Sequence, residues 1–128
     1  MMSRSTRPQP IEWVGSALED LRRCPDEVRD AIGYALYVAQ LGGYAPVAKR
    51  LVGGLSGMIE IVADDEEGNT YRAVYTAKLR GVIYVLHVFQ KKSTRGISTP
   101  RRAVELIAER YRRARVHYTV NYGSRENR

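Results

Sequence analysis

The chain has 128 residues, of which 44% are hydrophobic and 27% charged, and this fits one soluble domain that can form its own core. Its single cysteine, Cys24, excludes an internal disulfide, and the sequence has no zinc-ligand spacing and no apolar run long enough for a membrane span. We expect a cytoplasmic protein without metal, cofactor or membrane contact. Residues 11–118 should form the domain, between a flexible leader at 1–10 and a flexible tail at 119–128.

The charge is distributed unevenly along the chain. The formal net charge is +7, yet residues 78–118 contain 11 Lys and Arg side chains and only two Glu, whereas residues 1–77 contain more acidic than basic side chains. A basic block at one end of a domain favours a polyanionic partner, most often nucleic acid. The alternative is that the basic surface serves only solubility.

The first part of the chain predicts a short strand and two helices. Residues 11–14 are apolar and read as a strand, and Ser16 with Glu19 has the S-x-x-E spacing of a capping box, which opens a helix. Pro25 either ends this helix or begins the next. Apolar side chains at helical spacing over residues 28–39 then predict a second helix with one buried face.

The second part predicts a loop, three strands and a last helix. The loop covers residues 44–57, and the strands cover residues 58–63, 71–78 and 82–91 with a hairpin turn at Arg80-Gly81. Pro100 opens the helix, with Ser98 or Thr99 as its cap. Helices segregated against a small antiparallel sheet predict an α+β fold.

The last helix is predicted to bury one face and to expose its arginines. Its buried face comprises apolar side chains at helical spacing, namely Val104, Ile107, Ala108, Tyr111, Ala114 and Tyr118. The arginines predicted to lie on the remaining surface are Arg101, Arg102, Arg110, Arg112, Arg113 and Arg115.

The third strand carries an imidazole and ends in two lysines, in the stretch "LHVFQKKS". Because side chains alternate along a strand, a two-residue turn would pair Arg72 with Phe89 and place Arg72, His87 and Lys91 on one face. A three-residue turn would pair Arg72 with Val88 and scatter these groups. We expect the two-residue turn.

Such a group has a chemical use and a structural alternative. Cations that hold a phosphate, together with a histidine that exchanges protons, could cleave RNA without a metal. Alternatively Arg72 pairs with an acid such as Glu60, His87 is a hydrogen-bonded structural residue, and the terminal lysines only discourage edge pairing of strands.

Four segments resemble one protein family over most of residues 11–118: "PDEVRDAIGYALYVAQLG", "AKRLVGGLSGMIEIV", "TYRAVYTAKLRGVIYVLHVFQKKS" and "TPRRAVELIAERY". The family is that of the RelE/HigB-like toxins of bacterial type II toxin–antitoxin systems, in particular its phage-derived branch. The resemblance implies a RelE fold and a toxin that binds the ribosome and cuts messenger RNA. In that reaction the 2′-hydroxyl attacks the neighbouring phosphate, and no metal is used.

The resemblance also implies the residues of the site. The catalytic set would be Arg72, His87, Lys91 and Lys92. Arg72 and Lys92 would hold the scissile phosphate, and His87 and Lys91 would transfer protons. The side chains that we expect to contact the RNA backbone are Lys49, Arg95, Arg101 and Arg102.

The expected partners are the ribosome, messenger RNA and a cognate antitoxin, which would be a helix-turn-helix protein encoded nearby. Two alternatives use the same fold. One is a non-enzymatic inhibitor of DNA gyrase that resembles the ParE toxins, and the other is an inactive RNA-binding phage remnant.

Overall fold

A computed structural model describes residues 7–91 and 100–126, with side chains described to residue 123 in the last helix. Five strands form one sheet in the order β1-β5-β4-β3-β2, and all neighbouring strands are antiparallel except β1 and β5. The elements in chain order are β1 (Ile11–Trp13), α1 (Ala17–Arg22), α2 (Asp26–Gln40), β2 (Ala48–Arg50), a 3-10 turn (Gly53–Leu55), β3 (Met58–Asp64), β4 (Thr70–Thr76), β5 (Ile83–Lys91) and α3 (Arg101–Glu126).

The predicted α+β class is confirmed, but the sheet is mixed and larger than expected. β1 lies at one edge of the sheet and pairs in parallel with β5. The two strands are far apart in the sequence, because α1, α2 and the strands β2 to β4 come between them. β2 was missed because it is only three residues long and lies at the other edge, where its side chains are largely exposed. It shows none of the apolar alternation by which longer strands are recognised.

The sheet separates two cores. On one face, α1 and α2 pack through side chains such as Leu36 against the sheet residue Ile61. On the other face, Ile107 and Tyr118 of α3 pack against Tyr84 of β5. Because the sheet is covered on both faces, its central strands bury apolar side chains on both sides, and the charged Glu60 of β3 and Arg72 of β4 interrupt them. The predicted helices therefore lie on opposite faces: α1 and α2 cover one face, and α3 covers the face to which Lys91 at the end of β5 belongs.

The capping box predicted at the start of α1 is wrong, although the helix begins where expected. Ser16 precedes the helix, but its hydroxyl donates a hydrogen bond of 2.8 Å to the Asp20 carboxylate and makes no cap bond to a backbone N–H. The backbone of Ser16 is not extended (φ −91°, ψ 13°), so its oxygen does not face the N–H groups of the first turn. Pro25 stands directly before α2.

The described part of the expected tail is helical. α3 continues to Glu126, and so it includes most of residues 119–128. Tyr122 explains this extension, because its hydroxyl donates a 2.6 Å hydrogen bond to Glu12 and its ring stacks on Tyr118. Residues 1–6 of the expected leader lie outside the described residues, but Gln9 is attached to α2 through backbone and side-chain bonds to Gln40.

The expected pairing of Arg72 with Phe89 is confirmed, although the turn that was to produce it is not the one observed. A two-residue turn would pair Thr76 with Val85, but near the turn Thr76 pairs with Tyr84, one residue earlier. A β-bulge at Leu86 absorbs the extra residue and restores the expected register beyond it. The predicted caps Ser98 and Thr99 of α3 lie outside the described residues. Within the described part of the chain, no helix is long and apolar enough to cross a membrane.

Candidate active site

A cluster of charged side chains lies on the α3 face of the sheet. Glu60 of β3 is fully buried, and its Oε1 accepts a 2.7 Å hydrogen bond from Nη1 of Arg72 on β4. Lys49 of β2 lies beside the same oxygen, with Nζ at 3.9 Å. The strand register produces this grouping, because Lys49 pairs directly with Glu60, and Arg72 lies on the neighbouring strand, two residues from the partner of Glu60. The sequence-based alternative of an Arg72–Glu60 pair is therefore confirmed.

Lys91 joins the cluster from the end of β5, where it pairs with Thr70. The pKa of Lys91 is lowered from its usual 10.5, first by desolvation and then by the positive charge of Arg72. Glu60 acts in the opposite direction, and Lys49 lowers the pKa further. Arg72, Glu60 and Lys49 therefore all lie close enough to act on the charge of Lys91. We call Lys49, Glu60, Arg72 and Lys91 the Arg72 cluster.

The Arg72 cluster contains three cations and one carboxylate, so it carries excess positive charge. Glu60 Oε2 and Arg72 Nε are buried and have no hydrogen-bond partner among the described residues. Of these two atoms only the Arg72 N–H could donate to an anion, since the Glu60 oxygen is itself an acceptor; the excess positive charge of the cluster is what suits it to an anionic ligand. Lys92, which follows Lys91 in the sequence, lies outside the described residues, and so does Arg95.

His87 lies on the same face as Arg72 and Lys91, as predicted. Its ring is half-buried and stacks on Phe89, with centroids 4.6 Å apart and planes 17° apart. Burial lowers the pKa of His87 to about 4, and the positive charge of Arg110 lowers it as well. A pKa this far below the ordinary value of 6.5 leaves the imidazole neutral at pH 7 in the free protein.

Arg110 is the residue that sequence reasoning misplaced. It is buried rather than exposed, and it donates a 2.9 Å hydrogen bond from Nη1 to the carbonyl of Leu86, in the bulge next to His87. Its Nη2 donates to the Ser16 hydroxyl at 3.2 Å. The spacing of the buried residues Ala103, Ile107, Arg110 and Ala114 is helical, and this spacing was the available signal. Arg110 thus ties α3 to both the bulge and α1.

The remaining predicted RNA-contact residues are exposed. Lys49 belongs to the Arg72 cluster, but most of its side chain is open to solvent. Arg101 and Arg102 begin α3, where Arg101 Nε lies 3.5 Å from the Glu105 carboxylate. Among the described residues, no group of three or more His, Cys, Asp or Glu side chains is placed to hold a metal ion.

The sheet order, the crossing helices and the basic strand end define the RelE class of fold. A doubly substituted RelE toxin of E. coli, solved in the free state, has this fold with a TM-score of 0.53 and 21% identity over 84% of this chain and 98% of that one. A chain of the RelBE2 toxin–antitoxin complex of Mycobacterium tuberculosis is 20% identical, with a TM-score of 0.48; the match covers 66% of this chain and 100% of that chain. A comparison with curated proteins gives no significant match.

The particular family follows from the sequence. The family model "Phage derived protein Gp49-like" matches residues 19–112, which run from α1 into α3 and include the whole Arg72 cluster. The chain therefore belongs to the phage-derived Gp49-like family, and the predicted kinship with the phage-derived branch of RelE-type proteins is confirmed.

Proposed function

We propose that this protein is the toxin of a type II toxin–antitoxin system and that it acts as a ribosome-dependent endoribonuclease on messenger RNA, without a metal. The observation that carries the proposal is the Arg72 cluster, in which three cations surround one buried carboxylate on the sheet face that also holds His87. The RelE fold and membership of the Gp49-like family support the toxin class.

The proposed reaction is a transfer within the RNA strand. The 2′-oxygen attacks the adjacent phosphorus while the bond from phosphorus to the 5′-oxygen breaks, which leaves a 2′,3′-cyclic phosphate and a 5′-hydroxyl. One proton leaves the 2′-hydroxyl for a base, and one proton reaches the 5′-oxygen from an acid. Negative charge grows on the phosphate oxygens in the transition state, so fixed cations at this position lower the barrier.

Arg72 is the proposed phosphate-holding group. Glu60 binds Nη1 of Arg72 and thereby fixes the direction in which the guanidinium points. Arginine suits this role because it is always charged and can hold two phosphate oxygens at once. Glu60 is buried beneath Arg72, so its proposed role is to position the arginine rather than to contact RNA. Lys92 is proposed as the second phosphate contact.

The pKa shifts of His87 and Lys91 support a division of the two proton transfers between them. A histidine with a pKa of about 4 is neutral at pH 7, so it can accept the 2′-hydroxyl proton but has almost no proton to donate. Lys91 has a lowered pKa, which makes its ammonium a better acid toward the leaving 5′-oxygen. We therefore propose His87 as the base and Lys91 as the acid.

The antitoxin is proposed to cover this face. The Arg72 cluster carries excess positive charge and reaches solvent through Lys49, which favours a partner with acidic groups of complementary arrangement. Co-expression with the adjacent small gene should restore growth and yield a complex that co-purifies with the toxin. If the wild-type protein alone did not harm a susceptible bacterium, the toxin proposal would lose most of its support.

The experiment that tests the proposed chemistry is single-turnover cleavage of messenger RNA bound to purified ribosomes. The variant is the double substitution Glu60→Leu with Arg72→Met, which removes the ion pair without leaving a buried charge behind. It should cleave about 10²- to 10³-fold more slowly than wild type, the loss typical of one transition-state charge contact. The exposed-surface control Arg113→Ala should cleave normally. Wild-type rates in the double variant would exclude Arg72 from catalysis.

A further inference from the structure

A second basic surface lies at the other end of the sheet from the Arg72 cluster, where β3 begins and β4 ends. Two adjoining cavities of about 400 Å³ and about 260 Å³ form it, and both are lined by Tyr44 and Ala77. We call this surface the Tyr44 groove; its charged lining residues are Arg50, Lys78 and Arg80. Lys78 lies six residues beyond Arg72 along the chain, or roughly 20 Å at ~3.3 Å per strand residue. Arg50 follows Lys49 of the Arg72 cluster directly in β2, but it pairs with Ile59 rather than Glu60, so the two side chains point to opposite faces of the sheet.

The charge of the Tyr44 groove is uncompensated. Among the described residues, its lining contains three cations and no carboxylate. Arg50, Lys78 and Arg80 are all exposed, and within the described part of the chain none of the three makes an ion pair. By contrast, the exposed Arg29 and Arg112 each lie within 3 Å of a carboxylate. The groove therefore keeps its positive charge available for an external anion.

An aromatic face accompanies these cations. Tyr44 is 55% exposed, and the Arg50 guanidinium lies 5.5 Å from its ring centroid. The Lys78 side chain is also held in place. It lies against Gly57, where a Cβ atom would collide with it, and its Nζ is 5.1 Å from the ring centroid of Tyr111. The groove thus presents a fixed stacking surface between positioned cations.

We propose that the Tyr44 groove binds single-stranded RNA, with one base stacked on Tyr44 and the flanking phosphates held by Arg50, Lys78 and Arg80. Interleaved aromatic and cationic side chains are the usual means of binding single strands without sequence preference. An acidic peptide would use the cations but would leave the exposed ring without a partner. The larger cavity also has the volume of a site for a nucleotide-sized ligand.

This inference rests on the proposed function only for the identity of the ligand as RNA. Its effect would be a second contact with the strand, far from the cleaved phosphate, so that the RNA is held at two points of the sheet. The groove should then contribute to binding and not to the chemical step. Binding can be measured without cleavage, and this makes the two proposals separable.

The test is fluorescence anisotropy with a fluorescein-labelled oligouridylate and the full-length protein carrying Glu60→Leu and Arg72→Met. Adding Tyr44→Ala should weaken binding about 5- to 100-fold, the usual effect of losing one base stack, whereas Tyr44→Phe should bind normally. Adding Lys78→Ala should reduce the slope of log affinity against log salt concentration by about 0.7.

Matched controls lie elsewhere on the surface. Tyr34→Ala removes a ring that is 64% exposed on α2, and Arg22→Ala removes an exposed cation on α1; neither should change oligouridylate binding. Unchanged affinity in both Tyr44→Ala and Lys78→Ala would overturn the inference. Normal oligouridylate binding together with loss of the co-purifying antitoxin would also overturn it, in favour of a protein-binding surface. Loss of binding in Tyr44→Ala supports the groove even if the wild-type protein never cleaves RNA on the ribosome.

Discussion

The ion pair between Glu60 and Arg72 should be strongly asymmetric in its response to mutation. The Glu60 side chain is 1% exposed and that of Arg72 is 11% exposed, so removing either partner leaves the other as an uncompensated buried charge. Breaking a buried pair in this way typically costs about 3–5 kcal/mol, whereas replacing both partners by apolar side chains is often neutral or stabilising. We therefore expect Glu60→Leu and Arg72→Met to destabilise singly and to compensate each other when combined.

The expected magnitudes can be measured by urea and thermal unfolding. A loss of about 3 kcal/mol is a large share of the 5–15 kcal/mol that stabilises a typical domain, and it should lower the Tm by roughly 10 °C or more. Glu60→Leu also removes the carboxylate next to Lys49, but that lysine is largely exposed and should contribute little. The double variant should unfold within about 1 kcal/mol of wild type. Wild-type stability in Glu60→Leu alone would refute the view that Glu60 is the required counter-charge of Arg72.

Three further predictions concern pH, the bulge and RNA affinity. Because the pKa of His87 is about 4 in the folded protein and near 6.5 when unfolded, its stability contribution is complete above about pH 6.5 and is lost as the pH falls toward 4. With allowance for solvent screening of the half-buried ring, the free energy of unfolding measured in urea should fall by about 1–2 kcal/mol over this pH range. His87→Gln should remove that pH dependence. The same variant should slow single-turnover cleavage at least about 10²-fold with unchanged ribosome affinity. Arg110→Ala should cost about 2–3 kcal/mol in unfolding experiments, because it leaves the bulge carbonyl without its donor, whereas Arg113→Ala on the exposed face should change stability by less than about 0.5 kcal/mol. Arg101→Ala should weaken ribosome binding and make it less dependent on salt while leaving cleavage at saturation nearly intact; a large loss of the saturated rate would place Arg101 in the chemistry instead.

The parts of the fold that follow from local patterns could be predicted from the sequence. Helical spacing located α2, Pro100 marked the start of α3, and the assumed turn length placed Arg72 opposite Phe89. The pairing was right for an incomplete reason, because the bulge at Leu86 depends on how β5 fits between its neighbours. No short-range signal reports such a fit.

The electrostatic character of the site could not be predicted in the same way. The low pKa of His87 depends on its burial beneath α3 and on Arg110, which is 23 positions away in the chain and reaches the site only through tertiary packing. Arg110 itself was assigned to the surface because arginine is rarely buried. The helical spacing indicated a buried position instead, and the hydrogen bonds to Leu86 and Ser16 explain how an arginine can be buried there.

The length of α3 shows the same limit. Its last turns have few apolar side chains, so the pattern after Tyr118 predicted a tail. Tyr122 attaches those turns through a hydrogen bond to Glu12, which lies 110 positions earlier in the chain. A contact between residues so distant in sequence leaves no periodic signal for sequence reasoning to detect.

Primer extension on cellular messenger RNA after brief induction of the protein is the most direct measurement of its proposed function. We expect discrete 5′ ends within translated regions, at positions occupied by ribosomes, and we expect them to disappear with the stable double variant Glu60→Leu with Arg72→Met. Unbroken messenger RNA in arrested cells would contradict a nuclease. If replication stopped while translation continued, the protein would instead be an inhibitor of DNA gyrase that resembles the ParE toxins.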